Sequence, residues 1–158
     1  MTQIDGIKGV IFDLGGVLVQ TAPYSAVKNS YFKWYKAQRS IDFVNFTRTF
    51  AKTAIVTGCN REMALFRLEK AQIPVELFDI IVTSDDVEKI KPDPEAHLIA
   101  CAAMGTKPHE TLSIQDSKRG IQAAIAAGCI DWLVQQEDLT PQNLKSESQS
   151  WHIQEKHQ

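Results

Sequence analysis

Five short runs of β-branched and aliphatic residues constrain this chain most. Each closes on a turn signal and gives way to a helical stretch. Lys8 to Leu14 is apolar, ends on Asp13 and turns at Gly15 and Gly16, the pattern of a buried strand and its turn. Lys52 to Thr57, Ile80 to Thr83 and Thr111 to Gln115 repeat it, and Ile130 to Val134 is a weaker fifth. Between them lie helices with readable ends. Asn60 caps one that carries Leu65, Leu68 and Ala71. Asp93 and Pro94 start another, which stops at Gly105. A further helix places Ile121, Ala124, Ile125 and Gly128 on its inner face. Strands alternating with helices predict an α/β fold, with a mostly parallel five-stranded sheet covered on both faces. In such sheets ligands bind beyond the carboxyl ends of the strands.

Length and charge narrow the field. A chain of 158 residues suits one domain with its own core. A net charge of −2 gives no field to gather nucleic acid or an anionic membrane surface. No apolar run approaches a membrane span, and Met1 to Lys8 has no signal-peptide layout. Cys59, Cys101 and Cys129 are odd in number and far apart along the chain, which argues against a disulfide framework or a cysteine zinc site. A reduced, cytoplasmic protein is the expectation.

Two stretches stand apart. From Thr21 to Ala51 no strand pattern occurs. Val27, Tyr31, Trp34 and Tyr35 share a helical face, and Phe43, Phe46 and Phe50 form a second stripe after a cap at Asp42. They read as two helices docked on the sheet, or as an exposed apolar surface for a homodimer around Tyr31–Tyr35 or for gripping a substrate. From Thr140 to Gln158 the chain is rich in Gln, Ser, Lys and Glu, which predicts a mobile polar tail. The expected organisation is a core over residues 1–139 and a tail over 140–158.

The strand ends carry complementary chemistry. Asp13 ends the first strand, Thr57 the second and Asp116 the fourth, and Lys91 follows the third. A parallel sheet brings these positions to one edge. Two close carboxylates repel unless a cation lies between them, and Mg²⁺ with several waters suits them. A lysine neutralises a bound phosphoryl group. The Thr57 hydroxyl and the backbone from Gly58 onward hold phosphate oxygens. Together these groups suit phosphoryl transfer to Asp13 and hydrolysis of the resulting aspartyl-phosphate.

Asp13–Leu18, Ala54–Thr57, Lys91–Pro94 and Gln115–Gly120 resemble the four motifs of the haloacid dehalogenase (HAD) superfamily, in order, with Asp13, Thr57, Lys91 and Asp116 separated by 44, 34 and 25 positions. Thr83–Val87, Gly120–Ala124 and Ala126–Gly128 look like the β-phosphoglucomutase-like branch. The resemblance spans about residues 7 to 134. It implies a Rossmann-like three-layer core, Mg²⁺ held by Asp13, the Gly15 carbonyl and Asp116, Asp13 as nucleophile, Lys91 and Thr57 on the phosphate, and a small phosphorylated metabolite as substrate.

Three departures qualify that expectation. The family's first motif has a second aspartate that serves as general acid/base, and here that position is Gly15; the threonine two residues later is Val17. General acid–base catalysis contributes roughly 10²–10⁴-fold, so a slow phosphatase is expected. Gln115 stands where relatives often carry an acid, which weakens the surroundings of the metal. The interval between the first two motifs is short, so the helical cap is reduced to about residues 21–40 and the site is open.

Each residue also has a plainer reading. Asp13 ends a strand at a turn, Asp116 caps a helix, Thr57 caps a turn and Lys91 is solvated beside Lys89. Arg119 and the four histidines, His97 among them, read as surface or helix residues. Three functions therefore stand: an open, slow Mg²⁺-dependent phosphatase; a non-catalytic relative that binds phosphate or a protein; and a phospho-acceptor signalling domain.

Overall fold

The computed structural model describes residues 4–20, 26, 29 and 34–155, the last four by backbone alone. Five strands form one wholly parallel sheet: β1 (Gly9–Phe12), β2 (Lys52–Val56), β3 (Ile80–Val82), β4 (Thr111–Gln115) and β5 (Ile130–Leu133), in the order β3-β2-β1-β4-β5. Five α-helices lie wholly among the described residues: α1 (Gln38–Arg48), α2 (Arg61–Lys70), α3 (Glu95–Met104), α4 (Lys118–Ala127) and α5 (Pro141–Glu155). This is the expected three-layer, Rossmann-like fold. β1 is central, in register with β2 (Phe12 opposite Ile55) and with β4 (Phe12 opposite Ile114).

Alternation along the strands separates two apolar layers. Val10, Phe12, Ile55, Leu112 and Ile114 point to the layer covered by α1, α2 and α5, where Phe43, Val44, Leu68 and Leu144 are buried. Ile11, Ala54 and Val56 point the other way, to Ala96, Ala100 and Met104 of α3 and Ala124 and Ala127 of α4. That second layer is built from small side chains, so both helices lie close to the sheet. Among the described residues no helix is long and apolar enough to cross a membrane.

The helix ends follow their capping chemistry. Asn60 Oδ1 accepts from the Met63 amide at 2.8 Å, and Ser117 Oγ accepts from Gly120 N at 3.1 Å. Asp93 Oδ1 accepts from Glu95 N at 3.0 Å, and α3 ends at Gly105 with φ +70°.

The structure corrects several expectations. α5 occupies the stretch expected to be a mobile tail: it begins at Pro141 and buries Leu144, Ser148 and Trp151. Spaced apolar residues suffice to dock a helix whose other positions are polar. α1 starts at Gln38, not after Asp42, whose Oδ1 accepts from Gln38 Nε2 within the helix. Gln38–Ser40 of the supposed cap therefore belong to α1, and Ser40 Oγ ties that helix to the Leu18 carbonyl at 2.7 Å. Trp34–Ala37 is irregular rather than helical. Trp34 stacks edge-on against Phe66 at 6.1 Å, and Tyr35 is 58% exposed. Apart from residues 26 and 29, the rest of the expected cap, with Val27 and Tyr31 of the homodimer face, lies outside the described residues. On α4 the buried face is Gly120, Ala123, Ala124 and Ala127, and Ile125 is exposed. On α2 the buried residues are Met63, Ala64 and Leu68, and Leu65 is exposed. On α4 the close approach to the sheet turns the small residues inward and leaves a branched one outside.

Candidate active site

The carboxyl ends of β1, β2 and β4 lie side by side, so their next residues meet. Asp13 N bonds to the Ile114 carbonyl and Thr57 N to the Val82 carbonyl, each at 3.0 Å, so parallel pairing continues one residue beyond each strand. Asp13 Oδ1 accepts from the Leu14 amide at 2.8 Å. The chain then turns at Gly15 and Gly16 and returns to bury Val17, Leu18 and Val19. Gly16 has φ +82°, a backbone conformation that favours glycine.

Lys91 reaches this edge from the loop after β3. Its Nζ lies 3.2 Å from Asp13 Oδ1 and donates to the Val56 carbonyl at 3.1 Å and to Gln115 Oε1 at 2.9 Å. The side chains of Lys91 and Asp13 are only 12% and 14% exposed. Arg119 is not simply solvated: its guanidinium donates to the Lys91 carbonyl and ties the start of α4 to this loop.

Asp116 faces Asp13. Burial, then a hydrogen bond with Asp13 and the charge of that carboxylate, push the Asp116 pKa up to about 6, against the pull of Lys91. Two carboxylates strained in this way fit a hard dication set between them. Among the described residues no three His, Cys, Asp or Glu side chains converge. The donor set therefore suits an ion that keeps several waters rather than one needing four protein ligands.

Thr57 is buried on the second strand's end. Its Oγ1 accepts from Cys59 N at 3.3 Å and lies 3.2 Å from Cys59 Sγ. A Cβ at Gly58 would meet nothing within 4 Å, so this turn stands open. Asp85 and Asp86, from the segment before Lys91, serve structure. Asp85 accepts from the Arg61 amide at the start of α2, and Asp86 pairs with the Arg61 guanidinium at 2.9 Å.

Two features escaped the sequence. The first is a buried polar chain behind Lys91. Gln115 accepts from Lys91 through Oε1 and donates from Nε2 to Ser113 Oγ at 2.9 Å, and Ser113 Oγ lies 2.8 Å from His97 Nε2. Gln115, Ser113 and His97 are each fully buried. His97 is a helix residue, as expected, but not a surface one. Burial, with a smaller effect from the Lys91 charge, holds its pKa down at about 3, so the imidazole is neutral. Gln115 thus positions Lys91. A side chain at position 120 would strike it, which explains Gly120 on the inner face of α4. The second feature is Arg67 of α2. Its Nη1 lies 3.1 Å from where a Cβ on Gly15 would stand.

With this geometry in place, comparison with known proteins is informative. Residues 44–134, more than half of the chain, match the family described as haloacid dehalogenase-like hydrolase. The chain belongs to that family. Thr57, Lys91 and Asp116 lie inside the match. Asp13 lies before it, at the end of the central strand β1. The chain is 33% identical over 91 residues to a phosphorylated carbohydrates phosphatase from Thermotoga maritima, covering 58% of this chain and 41% of that protein. It is 36% identical over 95 residues to the pyrophosphatase PpaX from Halalkalibacterium halodurans, covering 58% of this chain and 44% of that one. The chain thus spans less than half the length of these curated relatives. In the fold it resembles a Thermotoga maritima crystal structure, provisionally assigned as a beta-phosphoglucomutase, with a TM-score of 0.66, 22% identity, and coverage of 89% and 99% of the two chains.

Proposed function

We propose that this protein is a Mg²⁺-dependent phosphohydrolase that forms an aspartyl-phosphate on Asp13 and acts on a small phosphorylated compound. One observation carries this reading. Lys91 Nζ stands 3.2 Å from Asp13 Oδ1, with the Asp116 carboxylate across from it. Asp13 and Asp116 would hold the metal, with the Gly15 carbonyl as a third donor. Mg²⁺ bound there would supply positive charge to offset the carboxylates and the phosphoryl oxygens. Lys91, fixed by Val56 and Gln115, meets the charge of the transferring group without having to reorganise. Thr57 and Gly58 supply the opposite side of the phosphate cradle.

A carboxylate oxygen of Asp13 attacks phosphorus. The bond from phosphorus to the leaving oxygen breaks, and that oxygen takes the electron pair. Water then attacks phosphorus, the bond to Asp13 breaks, and inorganic phosphate departs with the proton passing to solvent. Gly15 provides no proton donor, which makes the first step slow. The free thiols of Cys59, Cys101 and Cys129 fit a reducing, cytoplasmic setting.

The second reading, a phosphate-binding protein without turnover, draws on Gly15 and on Gln115, whose amide is engaged by Lys91 and Ser113. Hydrolysis of p-nitrophenyl phosphate separates the two. Turnover that needs Mg²⁺ and falls more than about 10³-fold in Asp13→Asn supports the enzyme. Equal turnover in wild type and Asp13→Asn overturns it. Binding of inorganic phosphate without turnover favours the second reading.

A further inference from the structure

Arg67 enters the site from an unexpected direction. It lies on α2, outside every motif, and its stem crosses toward the turn after β1. Its Nε is buried and has no hydrogen-bond partner. Among the described residues no carboxylate lies within salt-bridge distance of its guanidinium. Its Nη1 reaches to 3.1 Å from the point where a side chain on Gly15 would begin. A partly buried guanidinium without a counter-charge has paid desolvation and kept its capacity to bind an anion.

We propose that Arg67 is the leaving-group residue of this site and that it selects phosphoryl donors whose leaving oxygen departs as a stable anion, namely acyl phosphates and phosphoanhydrides. The inference rests on the phosphohydrolase reading above. A carboxylic acid at position 15 would hand a proton to the departing oxygen. Arginine stays protonated throughout and cannot do so. It meets the negative charge that gathers on that oxygen as the bond to phosphorus breaks. Charge stabilisation of this kind serves a carboxylate or phosphate leaving group, which needs no proton. An alkoxide from a sugar or polyol phosphate needs one, and this site has no donor for it at position 15. Fixed charge has thus replaced proton transfer, and the preferred substrates shift with it.

Relative rates on one preparation test this, because the folded fraction cancels. The probes are acetyl phosphate, inorganic pyrophosphate, glycerol phosphate and a series of aryl phosphates graded by the acidity of the phenol. Wild type is expected to favour acetyl phosphate or pyrophosphate over glycerol phosphate by at least about 10²-fold. Arg67→Gln is expected to lower kcat/KM on the favoured donors about 10–100-fold, the worth of a charged hydrogen bond, and to steepen the dependence on phenol acidity. Arg67→Lys retains part of the rate, and millimolar guanidinium restores part of it in Arg67→Ala. Gly15→Asp flattens the acidity dependence and raises the rate on glycerol phosphate. Equal use of acetyl and glycerol phosphates by wild type overturns the proposal, as does an unchanged acidity dependence in Arg67→Gln. Asp13→Asn separates the two readings. If it abolishes turnover while Arg67→Gln changes nothing, the leaving-group role fails and the phosphohydrolase stands. If it changes nothing, both fail.

Discussion

The two sides of Asp13 are built on opposite plans. On one side Lys91 contacts three acceptors, and the chain of contacts runs on through Gln115 and Ser113 to a neutral, buried His97. On the other side Gly15 bears no side chain, and Arg67 leans toward the gap with its Nε unpartnered. A cation whose donors are all engaged fixes geometry in advance. One with donors to spare can still adapt to a ligand. Under the proposed function, the side that would face the transferring phosphoryl group is thus rigid, and the side that would face the departing group is adaptable.

That contrast is open to attack. The largest effect is expected on the rigid side. Lys91→Met removes the preorganised charge and lowers kcat about 10²–10³-fold, the usual cost of losing a positioned electrostatic donor, with a smaller change in KM. Steady-state kinetics at saturating Mg²⁺ check it. Next comes the far end of the polar chain. The unfolded chain protonates His97 near pH 6.5, whereas burial keeps it neutral in the fold down to about pH 3. Between those values the unfolded state binds an additional proton, so stability falls as pH falls. Its share of the slope approaches about 1.4 kcal/mol per pH unit well below pH 6.5. Urea titrations from pH 7 to pH 4 are expected to show that share in wild type and lack it in His97→Gln. The smallest effect is expected at the link between them. Gln115→Leu keeps the volume but removes one acceptor from Lys91, lowering kcat about tenfold. A loss as large as that of Lys91→Met would show that the lysine depends on its support as much as on its charge.

Most of the fold was legible because its signals are local. Asn60, Asp93 and Gly105 act within one turn of the helix ends they define, and the strands announce themselves as apolar runs. What was hidden depends on neighbours distant in sequence. The inner face of α4 is set by how closely Ala123 and Ala127 must approach the sheet, and periodicity alone points to the bulkier Ile125 instead. α5 has a polar composition and docks through a few residues, Leu144 and Trp151 among them. The motif positions Asp13, Lys91 and Asp116 converge because parallel pairing aligns the strand ends that carry or precede them. His97 and Arg67 belong to no motif, so only three-dimensional proximity reveals them. Cys101 and Cys129 teach the same lesson, being 28 positions apart in the chain and 4.0 Å apart in space.

β1 has hydrogen-bonded neighbours on both edges and apolar layers on both faces. Asp13, the proposed nucleophile, therefore follows a stretch of backbone with no free margin from which to fray. Partial opening at the sheet's rims, along β3 or β5, leaves Asp13 in place, and its position is surrendered only when the domain melts as a whole. Arg67 rides on α2, which covers one face of that sheet, so under the proposal above loosening of this helix weakens recognition of the departing group before it disturbs bond-making at Asp13.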